Sequence, residues 1–66
     1  MRAVDEVSLA DQIAEVKREI EMRQKVYRRD IASGKLDPSD AEARTVRMVA
    51  VLQTLEAIRD RAIGAT

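Results

Sequence analysis

Three serines, Ser8, Ser33 and Ser39, are the side chains best suited by type to nucleophilic chemistry, and the chain has no histidine and no cysteine beside them. A serine without a partner base is a weak nucleophile. Each of the three also falls where a helix is expected to begin or end, and there a hydroxyl caps backbone groups. Carboxylates are the next resource. Glu15, Glu19 and Glu21 lie close in sequence, but a carboxylate metal site in a helical bundle adds a Glu-x-x-His repeat, which a histidine-free chain cannot supply. Cysteine-rich zinc sites and histidine-centred proton transfer are excluded on the same count. The chain therefore reads as a non-enzyme with no cofactor, no metal and no catalytic residues. The remaining chemistry belongs to side chains that recognise rather than react. Arg23, Lys25, Arg28, Arg29, Lys35, Arg44 and Arg47 make seven bases against four acids between positions 23 and 47, whereas Met1 to Met22 holds three bases and six acids. Tyr27 stands among these arginines, a composition common in binding hot spots.

The elements that must position these residues are organised about Ser33-Gly34-Lys35-Leu36-Asp37-Pro38-Ser39-Asp40. Gly34 can enter the left-handed conformation that closes a helix. Asp37 supplies an N-cap acceptor, and Pro38 lacks only an N–H that the first helical position leaves unused. Asp40 is spaced to reach back toward the cap, and Leu36 to pack on Ala41 as a staple. The 66 residues thus predict one all-α domain, an antiparallel two-helix hairpin. The first helix is expected over about 8–33, the turn over 34–37 and the second helix over about 38–63, with residues 1–7 frayed.

Ser8, with Asp11 three residues on, opens the first helix as a capping box. Leu9, Ile13, Val16, Ile20, Tyr27 and Ile31 then fall within a band of about 60° at 100° per residue, a narrow seam suited to one facing helix. Glu15 with Arg18, Glu19 with Arg23 and Glu21 with Lys25 are spaced to pair on the solvent side. Met22 and Val26 form a small apolar patch away from the seam. In the second helix Ala41, Thr45, Met48, Val49, Leu52, Leu55, Ala62 and Ile63 form one stripe, which Val51 and Ile58 widen to roughly half the circumference. Such a stripe is too wide for one partner helix. A chain this short buries little surface by itself, so two hairpins are expected to pair as a homodimeric four-helix bundle. The dimer interface is expected at Met48, Val51, Leu52, Leu55, Ile58, Arg59 and Ala62, with Arg59 snorkelling or pairing with a carboxylate across the seam.

Twelve bases balance twelve acids, so no net field draws the chain to nucleic acid or an anionic membrane. No apolar run is long enough to span a bilayer, and the N-terminus lacks the apolar segment of a signal peptide, which predicts a cytoplasmic protein. A single aromatic residue disfavours a base-stacking platform.

The series Glu19-Ile20-Glu21-Met22-Arg23-Gln24-Lys25-Val26-Tyr27, followed by Ser33-Gly34-Lys35-Leu36 and Ala41 through Leu52, resembles small helical-hairpin proteins of proteobacterial phages and prophages, particularly Mu-like ones. The similarity covers about residues 10–60, and much of the motif is what any helical hairpin requires. Some small early proteins of such phages are anti-activators that bind the DNA-binding domain of a LuxR-type quorum-sensing regulator. The resemblance implies a phage-encoded inhibitor of a host transcriptional activator, acting in the bacterial cytoplasm, and transfers no binding residue. The residues themselves place partner binding at Met22, Arg23, Val26, Tyr27, Arg28, Arg29, Arg44 and Arg47. Two alternatives are a small dimeric nucleic-acid-binding regulator and a structural coiled-coil component of a phage particle.

Overall fold

The computed structural model describes residues 7–64, which form two helices, α1 (Leu9–Ala32) and α2 (Pro38–Gly64), packed against each other. The expectation of a frayed segment over residues 1–7 lies outside the described residues except at Val7, which is half-buried. Ser8 has extended backbone, φ −64° and ψ 153°, and its Oγ accepts from Asp11 N at 3.0 Å while its carbonyl accepts from Gln12 N at 3.0 Å. The cap is one-sided, because the Asp11 carboxylate makes no return bond to Ser8 among the described residues. Gln12 contributes instead, its Nε2 donating to the Val7 carbonyl at 3.1 Å. At 1.5 Å per residue α1 is about 36 Å long and α2 about 40 Å.

The turn is a Schellman closure followed at once by a cap. Lys35 N donates to Asp30 O at 2.8 Å and Gly34 N to Ile31 O at 3.1 Å, with Gly34 at φ 78°. These bonds satisfy carbonyls that a helix end would otherwise leave open. A Cβ added to Gly34 would meet nothing within 4 Å, so only backbone strain opposes a side chain there. Gly34→Ala is therefore expected to destabilise the hairpin by about 1 to 2 kcal/mol, the left-handed penalty for an L-residue, while a D-alanine at the same position is expected to cost nothing. Chemical denaturation of the two synthetic variants checks this.

Asp37 begins α2 as expected, but its partner differs from the expected one. Its Oδ1 accepts from Ser39 N at 2.9 Å and from Ser39 Oγ at 2.7 Å, and Asp40 is not part of the cap. The carboxylate reaches the second helical N–H directly, and the serine hydroxyl closes the ring before Asp40 could fold back. These bonds hold the Asp37 pKa below its ordinary value, the Ser39 hydroxyl first and the Ser39 N–H second. A lowered folded-state pKa stabilises above the unfolded pKa, and that contribution is lost as pH falls through the folded one. Asp37→Ala is expected to lower the thermal midpoint at neutral pH and to have little effect well below the carboxylate range, as circular dichroism melts at several pH values would record.

Between the helices the seam of α1 is filled by Leu9, Ile13, Val16, Ile20, Tyr27 and Ile31, all buried or half-buried. α2 answers with Ala41, Thr45, Met48, Val49, Leu52 and Leu55, likewise buried or half-buried. Full enclosure is rare: Ile13 and Ala41, at 4% and 6% exposure, are the buried core among the described residues. Two rods touch along one line only, so most side chains between them keep one edge in water. Lys17 Nζ and Glu56 Oε2, 4.0 Å apart, tie the two helices from the solvent side. Ile63, assigned by its spacing to the stripe, is instead 66% exposed.

Candidate interaction surfaces

The turn end of the hairpin presents its cations largely uncommitted. Arg23 Nε donates to Glu19 Oε1 at 2.7 Å, and that bond, ahead of any other influence, raises the arginine's pKa. Among the described residues Arg28 Nε reaches only the Gln24 carbonyl, at 3.4 Å, and Arg29 Nε only Asp30 Oδ1, at 3.4 Å. Lys25, Lys35, Arg44 and Arg47 form no ion pair among the described residues. Lys25 thus stands apart from Glu21, its expected partner, whereas Arg18 and Glu15 do pair, a contact that lowers the Glu15 pKa first by hydrogen bonding and then by charge.

The same end carries a feature that sequence spacing does not reveal. An open groove of about 450 Å³ runs between the helices beside the turn, lined by Gln24, Tyr27, Arg28, Ile31, Pro38, Ala41, Glu42 and Thr45. Tyr27 is half-buried and forms its wall rather than a solvent-facing patch. The groove arises because Ala41 and Thr45 are small where the opposing α1 residues are large, so the helices leave space at their junction.

Two apolar surfaces stand out beyond the seam. Met22 and Val26 are 50% and 40% exposed, and Val51 and Ile58 are each 47% exposed. The residues assigned to a dimer interface therefore divide into two sets. Met48, Leu52, Leu55 and Arg59 are half-buried in the single chain, whereas Val51, Ile58 and Ala62 are exposed. Arg59 Nε donates to the adjacent Asp60 Oδ1 at 3.1 Å, within its own chain. Helical phase at 3.6 residues per turn places Val26 on the same flank of the hairpin as Val51 and Ile58, and the groove with the Lys17–Glu56 pair on the other flank. Val46, at 59% exposure, stands apart from both; nothing in its spacing marks it.

Each serine is committed to local structure. Ser8 and Ser39 serve the two N-caps, and Ser33 Oγ donates to Asp30 O at 3.2 Å. Among the described residues no group of histidine, cysteine, aspartate or glutamate is arranged to hold a metal ion, and no helix is long and apolar enough to cross a membrane. No protein-family model, no curated protein and no solved structure matches the chain.

Proposed function

We propose that the chain is a non-enzymatic protein-interaction module that associates with itself into a four-helix bundle and covers a functional surface of a second protein. The observation that carries this reading is the exposed row on α2. Val51 and Ile58 stand half open to solvent on a helix whose other face already fills the seam with α1. Apolar side chains placed in a regular row, in a chain with almost no enclosed core, favour completion by another protein surface.

For the second protein, the basic turn end is the favoured contact. Arg28 and Arg29 are exposed, their charges are little used within the chain, and Val26 and Met22 add apolar area on the side of Arg29. Arginine bordered by apolar surface suits an acidic or polar protein patch. The resemblance to phage anti-activators favours the DNA-binding domain of a LuxR-type transcriptional activator as that patch, with the chain acting as an inhibitor in the bacterial cytoplasm. Arg28→Glu combined with Arg29→Glu is expected to abolish capture of such a domain in a pull-down while leaving helicity unchanged. Undiminished capture removes the turn end as the binding surface. Salt-sensitive retardation of DNA by the wild-type chain would favour the nucleic-acid regulator instead.

A further inference from the structure

We infer that α2 pairs antiparallel with α2 of a second copy through Arg44, Met48, Val51, Leu55, Ile58 and Ala62, with the two-fold axis passing between the levels of Val51 and Leu55. The inference deepens the self-association reading above and rests on it. α2 carries two rows with the same alternation of four-residue and three-residue steps. The inner row, Ala41, Thr45, Met48, Leu52, Leu55 and Arg59, is buried or half-buried against α1. The outer row shares Met48 and Leu55 with it and adds the exposed Val51, Ile58 and Ala62. An unbroken four-three alternation is the spacing of a coiled-coil seam, and side chains on such a seam insert between those of a facing helix.

Three observations select a second copy in this orientation. The first is the row itself. Val51 and Ile58 are each 47% exposed beside a row that is already buried or half-buried against α1, and from Arg44 to Ala62 the outer row runs about 27 Å at 1.5 Å per residue, a length that only a second rod of the same kind covers throughout. The second is the chemistry of the flank. On the face that presents Val51 and Ile58, α1 offers Gln12, Glu19 and Arg23, the last two joined as an ion pair, and a single exposed apolar residue, Val26, nearer the turn. The apolar row of one copy therefore has its best match in the apolar row of the other rather than in α1.

The third is charge and register. Residues 21–52, the turn half, hold seven bases and five acids, and residues 7–20 with 53–64 hold four bases and five acids. Antiparallel stacking sets each turn half against the opposite half of the other copy, whereas parallel stacking sets like against like. It also sets Val51 against Leu55, Met48 against Ile58, and the long Arg44 against the small Ala62. A parallel arrangement would place Arg44 against Arg44.

The chain contains no cysteine, so single introduced cysteines report the geometry without background. Thr54, Arg47 and Arg61 are exposed along the rim of the outer row. Antiparallel pairing brings Thr54 of the two copies together at the two-fold axis. It separates Arg47 from Arg47 by about 18 Å along the axis and sets Arg47 across from Arg61. With a short bis-maleimide, Thr54→Cys is expected to cross-link to a covalent dimer, Arg47→Cys and Arg61→Cys alone are not, and an equimolar mixture of the last two is. Arg61→Glu is expected to tighten the dimer several-fold in sedimentation equilibrium, since it replaces facing like charges with an ion pair. Cross-linking of Arg47→Cys alone, or an unchanged dissociation constant for Arg61→Glu, overturns the antiparallel register while leaving self-association standing. A wild-type chain that sediments as a monomer at high micromolar concentration overturns self-association itself.

Discussion

Val51→Asp combined with Ile58→Asp is expected to abolish the proposed self-association and to leave a chain whose helicity falls sharply. Both side chains are 47% exposed in the single chain, so neither substitution removes much that holds α1 to α2. A carboxylate at either position would be desolvated in a helix pair, and a buried unpaired charge costs several kcal/mol. With two positions on each of two copies, the penalty falls four times on the proposed pairing. Sedimentation equilibrium reads the loss of dimer directly. Circular dichroism melts at several concentrations add the second half of the test: the wild-type midpoint is expected to rise with concentration, and that of the double variant to be constant and much lower. A variant that still sediments as a dimer would show that the row on α2 is not the contact.

Ile13→Ala carries the largest effect expected within a single chain. Ile13 is 4% exposed and lies on the narrow seam of α1, where it is the one large apolar side chain that is buried among the described residues. Isoleucine-to-alanine changes in enclosed sites cost about 2 to 5 kcal/mol, and the low end applies where the surroundings can collapse. Two rods joined by one turn can collapse, so about 2 to 3 kcal/mol is expected. Small domains are stable by roughly 0.05 to 0.15 kcal/mol per residue, and for this chain the change removes a large share of the total. Urea titration is expected to show a lower midpoint with an unchanged slope. Val46→Ala, at a site 59% exposed, is the matched control, for which almost no change is expected.

Much of this fold is readable along the chain because its signals are local. Ser8, Gly34, Asp37 and Pro38 act on groups within five residues of themselves, and the bonds they make are those their types favour. The α1 seam was equally open to reading, since a narrow stripe at helical spacing can face only one way. Less local features were not. Asp40 and Ser39 both lie within reach of the Asp37 carboxylate, and the backbone geometry after Pro38 gave the bond to Ser39. The groove beside Tyr27 depends on how closely two helices approach where Ala41 and Thr45 face larger residues, a distance no spacing rule contains.

The residues in order determined that this chain makes two helices of nearly equal length and where each begins and ends. Only the tertiary structure decided which row of α2 turns inward. Thr45, Leu52 and Arg59 form one row, Val51 and Ile58 lie on its neighbour, and Met48 and Leu55 belong to both. The two rows obey the same periodicity, so no pattern along the chain separates them. That choice is made by the rotation of α2 about its own axis as it packs against α1. Through that rotation Leu52 faces α1, and Val51 and Ile58 face outward.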